Sequence, residues 1–464
     1  LQAVVGQQGH HLGPLGRLLL ARLGHQPRRL RLRERIEVGV RTRIGVLTVL
    51  RIPMSPREGW RDTVARQGLV FCDTTDPRTG ITTSYWNEQA CYELTMTEVD
   101  LLEMASENLH LMAKDAAGFL AEESLKPDSP FNLGIPPEAI EYARASLERD
   151  DPSLYSRFDL IYSGSDGHPP RMLEYNADTP TGLLEAALIQ WYWHEDVHIK
   201  AGLTDFDQWN GLHEELIAQW KRIDDHLGQR HGLRPHMYHF AYTDADDSGE
   251  DLMTTGYIMD TAVQAGLKSK LVEMKQIGLD RENARFTDEG NLHLEAIFKL
   301  YPWEEMVFEE FGSAICSLKP DYWFQPAWTM FLSTKALSAA LWYLYPRHAN
   351  LIPTYMYPDD ARARHDTMGM SEYVIKPLHA REGANIELHG EGRHIVQPGG
   401  WGVEGYVIQE FCKLPDFPGS DHPHNRPVLG TWMVGEECYG LGIRESDGPI
   451  TDYYCRFVPN RIRI

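Results

Sequence analysis

The sequence has no Cys-x-x-Cys pair, no apolar run long enough for a membrane helix and no excess of basic residues. Its six cysteines (Cys72, Cys91, Cys316, Cys412, Cys438, Cys455) are scattered. That suits free thiols in a reducing compartment better than a disulfide framework or structural zinc, and makes the cytoplasm the expected location. No window approaches the roughly 18 to 20 consecutive apolar residues of a spanning helix, so no membrane association is expected. A net charge of −22 argues against nucleic-acid partners, which require a basic surface, and is compatible with cationic partners such as amines. No internal repeat or low-complexity tract is present. At 464 residues the chain is long enough for a large buried core.

Lysine and serine are missing altogether before Met54, where ten arginines meet only Glu34 and Glu37. That segment carries +8, which leaves −30 on the remainder of the −22 chain. Transit peptides are usually Ser-rich, and LGRLLLARLG is interrupted by Arg and too short for a signal-peptide core. Residues 1–53 are therefore expected to be a basic N-terminal extension, disordered or translated from upstream of the true start. One large domain is expected over 54–464.

In the body, TEVDLLEMASENLHLMAKDAAGFLAEES predicts an amphipathic helix from Thr97, with Thr97 and Asp100 resembling a capping box. SRFDLIYSG and PRMLEYN, joined by SDGHPP, predict a hairpin. A helix is expected from about Thr181 through LLEAALIQWYWHEDV, and another over TTGYIMDTAVQAG, stopping at Gly266. The last third reads as strands with Gly-rich turns. The predicted class is α+β, with helices early and mainly antiparallel strands late.

The hairpin carries the chemistry. Arg157 and Asp159 share one face of its first strand, Glu174 and Asn176 one face of its second. If those faces coincide, three oxygen ligands suited to Mg²⁺ meet a guanidinium, which outlines a nucleotide-phosphate site. The alternative for the same spacing is a cross-strand salt bridge from Arg157 to Glu174, with Asn176 capping the next turn. Further on, SEYVIKPLHAREGANIEL delivers Lys376 at a strand end and then a short polar loop with Gly383, residue types that suit phosphate. That stretch holds neither a P-loop nor a Rossmann pattern.

LEYNADTPTGLLEA, KLYPWE, PAWTMFLSTKALSAALW, VIKPLHAREGANI, YVIQEF, PVLGTWMV and GLGIRESDGPITDYYCRFVPN occur in the order and rough spacing of the glutathionylspermidine synthase family. More closely, the chain resembles the stand-alone bacterial members described as acid–amine ligases, over about Met54 to the C-terminus. The resemblance implies an ATP-grasp fold, two lobes with mainly antiparallel sheets clamping MgATP. It implies Asp159, Glu174 and Asn176 as Mg²⁺ ligands and Arg157 as the contact to the activated acyl group. By the same resemblance Lys335 and Lys376 hold ATP phosphates, Gln409 lies beside the nucleotide and Arg444 is the catalytic arginine.

The implied reaction is ATP-dependent ligation of a carboxylate to an amine through an acyl phosphate. The implied substrates are a small-molecule acid, such as glutathione or a short peptide, and an amine such as a polyamine. Thr179 and Thr181 retain hydroxyls where the family places acid-substrate contacts. Asp246, Asp247 and Glu250, in an acidic loop that also holds Asp244 and Asp251, are candidates for the amine, although charge runs usually face water. The bifunctional relatives carry an amidase domain that this length does not accommodate, so amidase activity is not expected.

Two rivals come from other classes. His194-Glu195-Asp196-Val197-His198 fits the HExxH pattern of zinc proteases, with Glu214 or Glu215 at a tolerable distance as third ligand. Three fixed positions also arise by chance in a chain with 20 His and 67 acidic residues. The other rival is a nucleotide-binding module without ligase activity, which retention of the three metal ligands and the lysines disfavours.

Overall fold

In the computed structural model, which describes residues 49–75, 80–164, 167–243, 249–318 and 322–464, the hairpin forms as its sequence predicts. Tyr155–Ile161 pairs antiparallel with Arg171–Asn176 at the edge of a five-stranded sheet. The order continues through Arg426–Val434, Glu437–Ser446 and Arg456–Val458. Alternation along the strands divides this central sheet. Phe158, Leu160 and Leu429 join the core on the side of a long helix, whereas Arg157 and Asp159 face the other way, toward a cleft. Hydrogen bonds between Ser106 and Thr431 (2.7 Å) and between His110 and Tyr175 (2.6 Å) tie the helix to the sheet.

That helix spans Met96–Glu123 and is capped two residues before the expected Thr97. Thr95 is the N-cap, and Glu98 reaches back to its backbone N–H at 2.8 Å. A glutamate at the third helical position has the reach a capping box needs, so Thr95 and Glu98 prevail over Thr97 and Asp100. The helix after Thr181 runs unbroken from Leu183 to Ile199, with π-helical turns at Glu185–Ile189 and Glu195–Ile199. Glu250–Gln264 is helical, close to the expected span.

The middle of the chain departs from the antiparallel expectation. Ser269–Glu273, Tyr238–Tyr242, Ala296–Lys299 and Tyr322–Phe324 form a fully parallel sheet, with Glu250–Gln264 in the crossover between its first two strands in sequence. The two inner strands, Tyr238–Tyr242 and Ala296–Lys299, are short and buried on both faces, and so lose the period-two alternation that marks a strand. A second five-stranded sheet, antiparallel, follows the order Thr354–Met356, Tyr406–Glu410, Tyr373–Pro377, Glu387–Gly390, Arg393–Val396. The architecture is mixed α/β with several mainly antiparallel sheets. Among the described residues, no helix is long and apolar enough to cross a membrane.

The expected boundary at Met54 moves. Leu50–Pro53 pairs antiparallel with Ala90–Thr95, which in turn runs parallel to the C-terminal strand Asn460–Arg463. Arg51, counted above with the basic arm, faces inward and binds Asp421 at 2.6 Å and Glu445 at 2.9 Å. Its charge is a buried partner and not part of a solvated run. Residues 1–48 lie outside the described residues.

Candidate functional site

The register sets Arg157 opposite Asn176 and Asp159 opposite Glu174, so the two polar faces do coincide. Arg157 binds its own strand neighbour Asp159, Nε to Oδ1 at 2.7 Å and Nη2 to Oδ2 at 3.1 Å, and so does not make the cross-strand bridge to Glu174 that the spacing also allowed. Its Nη1 donates to the Thr181 carbonyl at 2.5 Å. From the neighbouring strand pair Arg444 Nη2 donates to Asp159 Oδ2 at 2.6 Å. Burial pushes the Asp159 carboxyl up, but the two guanidiniums override it and hold it well below the usual carboxylate range. Gly430 faces Asp159 across the sheet, and a Cβ there would lie 3.0 Å from Arg157 Cδ, so the close approach needs glycine.

Asn176 Nδ2 lies 3.3 Å from an oxygen of Asp159 and 3.3 Å from an oxygen of Glu174. Turning that amide over presents its oxygen beside two carboxylates, an all-oxygen set that fits Mg²⁺. Asp159, already bound by two arginines, has less free coordinating capacity than Glu174, which is a third exposed.

Cations line the facing side. Lys335, at the start of helix Ala336–Leu344, has its Nζ 3.6 Å from Glu174 Oε2. Lys376 Nζ donates to Gln409 Oε1 at 2.7 Å, and Gln409 Nε2 donates to Thr354 Oγ1 at 3.0 Å. Burial pushes the Lys376 ammonium down to about 8, against the pull of Glu174. Arg157, Asp159, Glu174, Asn176, Lys335, Lys376, Gln409 and Arg444 thus line one cleft of about 490 Å³ between the two five-stranded sheets.

Thr179, Thr181 and Glu250 line the same cleft. Burial, followed by the charges of Glu185, Asp251 and Glu382, pushes the Glu250 carboxyl up to about 8. Asp246 and Asp247 lie outside the described residues.

Several residues of the site escaped the sequence reading. Asp178 is buried against Lys299 (2.6 Å) and the Trp303 backbone N–H (2.8 Å), which pins the turn carrying Thr179 and Thr181. The available signal was a lysine inside the apolar run AIFKLYPW. Glu185, wholly buried, accepts from the Tyr85 hydroxyl at 2.6 Å beneath the cleft. Arg381, which does belong to the polar loop read after Lys376, reaches Glu305 at 2.8 Å across the cleft mouth.

The HExxH reading does not survive packing. His194 and His198 are buried, their rings 4.9 Å apart. Arg461 Nη1 sits 3.1 Å from His198 Nε2, so a cation already occupies the metal's side of the ring. Burial pushes both imidazoles down to about 4. Gly400, Gly402 and Gly405 do spell GxGxxG, but strand Tyr406–Glu410 follows them where a dinucleotide site needs a helix.

Sheets, cleft and charges together define a glutathione synthetase-like fold of the ATP-grasp type. A glutathione synthetase-like effector from Globodera pallida superimposes with a TM-score of 0.54 at 10% identity, over 87% of this chain and 95% of that one. Residues 51–463 match the family described as glutathionylspermidine synthase preATP-grasp, and the chain belongs to that family.

A Haemophilus influenzae protein named "Putative acid–amine ligase" is 35% identical over 384 residues, which is 81% of this chain and 90% of the relative. Trypanothione synthetase of Crithidia fasciculata is 27% identical, over 71% of this chain and 50% of its own length. The bifunctional glutathionylspermidine synthetase/amidase of Escherichia coli is 25% identical, over 71% and 53%. The chain thus spans about half the length of these two longer relatives.

Proposed function

We propose that this protein is an ATP- and Mg²⁺-dependent acid–amine ligase that forms an amide through an acyl phosphate, with two lobes closing on MgATP. The observation that carries the reading is the convergence on one cleft of two lysines, two arginines and three oxygen-bearing side chains from separate parts of the chain. MgATP, when bound, supplies the phosphoryl group that gives a carboxylate a leaving group. Lys335 and Lys376 offset phosphate charge, Gln409 holds Lys376 in place, and Asp159, Glu174 and Asn176 hold the metal. Arg157 and Arg444, aligned by Asp159, stabilise the negative oxygen that develops as the amine attacks the acyl carbon.

Thr179 and Thr181 offer hydroxyls to the acid, for which glutathione or a short peptide is the proposed class. Glu250, the first residue of helix Glu250–Gln264, receives the amine, for which a polyamine is the proposed class. All six cysteines are free, which supports a reducing compartment and the cytoplasm.

The test is ADP or phosphate release with MgATP, screening glutathione, peptides and small acids against polyamines and amino acids, with Arg444→Ala as control. Release that rises only with a particular acid–amine pair is expected. Nucleotide binding that no pair stimulates would reduce the protein to a nucleotide-binding module.

A further inference from the structure

On the face of the second five-stranded sheet turned away from the cleft, Glu387, His389 and His394 form a cluster that the ligase chemistry leaves unused. Glu387 and His389 stand two apart on Glu387–Gly390 and so share a face, and His394 is the cross-strand partner of His389. Leu388, between them, points the other way and lines the cleft.

His389 Nε2 lies 2.7 Å and His394 Nε2 3.1 Å from the same carboxylate oxygen, Glu387 Oε1. All three donor atoms fall within 4.8 Å of one another. The imidazoles stack on each other at 4.1 Å between centroids, and Tyr373 stacks on His389 at 4.5 Å, which restrains both rings.

We propose that Glu387, His389 and His394 bind a transition-metal ion, Zn²⁺ by preference, through the two Nε2 atoms and the carboxylate, with water completing the shell. Two imidazoles and a carboxylate are zinc's donor types, and ligands about 2.1 Å from a tetrahedral zinc lie about 3.4 Å apart. The two nitrogen–oxygen separations, 2.7 and 3.1 Å, need only a small spreading to reach that. The side chains of Glu387 and His389 are 32% and 31% exposed and that of His394 55%, so an ion enters without opening the fold. Binding would lock Glu387–Gly390 to Arg393–Val396 behind Leu388.

The experiment titrates the metal-free full chain with Zn²⁺ against a chromophoric chelator, in parallel with His394→Ala, Glu387→Gln and Glu174→Gln, and records the visible spectrum of the Co²⁺-loaded proteins. His394→Ala and Glu387→Gln are expected to lose one equivalent, or to weaken it about tenfold or more, together with the tetrahedral Co²⁺ bands. Glu174→Gln, altered in the cleft, keeps both. Equal stoichiometry and affinity in wild type, His394→Ala and Glu387→Gln would overturn the assignment, as would a loss confined to Glu174→Gln. His394 is largely exposed, so its variant folds, and matching circular dichroism verifies that.

Discussion

Replacing Lys376 by methionine should cripple ATP turnover and at the same time stabilise the free protein. Burial brings the Lys376 ammonium from its ordinary 10.5 down to about 8. A drop of that size corresponds to about 3 kcal/mol against the charged form. The folded value lies below the unfolded one, so this contribution to stability is present above pH 10.5 and lost as pH falls through about 8.

At pH 7 the full cost is therefore in place, and methionine removes it while giving up the bond to Gln409, worth about 1 kcal/mol. The net gain of about 2 kcal/mol raises Tm by on the order of 2 °C in a chain of this size. Losing a charged contact to phosphate costs about 1.5 to 3 kcal/mol, or about 10- to 150-fold in kcat/KM for ATP. In the wild type, kcat/KM for ATP should fall about tenfold per pH step above about 8 as the ammonium deprotonates, whereas Lys376→Arg should stay level. Phosphate-release kinetics from pH 6 to 10 and thermal denaturation read both effects. A wild-type profile level to pH 10, or Lys376→Met unfolding earlier with turnover intact, would refute the assignment.

Glu174→Ala should abolish Mg²⁺-dependent turnover while shifting Tm by less than about 1 °C, because loss of the Lys335 contact is offset by relief of repulsion with Asp159; unchanged phosphate release would sink the metal role. Arg51→Ala strips a buried partner from Asp421 and Glu445 and should cost about 3 to 5 kcal/mol, read by chemical denaturation. An unaltered midpoint would mean Leu50–Pro53 is dispensable. Burial raises the Asp421 carboxyl but Arg51 overrides it and holds it at about 2. Its stability contribution is thus present above the ordinary 3.8, lost as pH falls through about 2, and absent from Arg51→Ala. Above about pH 8, where the Glu250 carboxyl is ionised, Glu250→Gln should raise KM for the amine about tenfold with KM for ATP unchanged, since one carboxylate–ammonium contact is lost; equal amine KM values there would remove Glu250 from the amine site.

The hairpin, its polar face and the lysine strand were legible in the sequence because each rests on local rules. Period two puts Arg157 with Asp159 and Glu174 with Asn176, and Asp-Gly and Pro-Pro mark the turn between the strands. The motif order around Lys335, Gln409 and Arg444 carried the family without any coordinates. Contacts between segments far apart in the chain were not legible. Arg444 meets Asp159 across 285 residues, Lys299 meets Asp178 across 121, and Arg51 meets Glu445 across 394.

Nothing in a local window distinguishes an arginine that will be buried against two carboxylates from one in a solvated basic run, so by sequence Arg51 reads as part of the basic arm. The HExxH letters mislead for the same reason. Helical spacing brings His194 and His198 together, but only the arrival of Arg461 from the C-terminal strand decides that a cation already stands there. Local sequence determined which side chains share a face; the tertiary fold decided which faces meet, because pairing energies depend on distance in space and not along the chain.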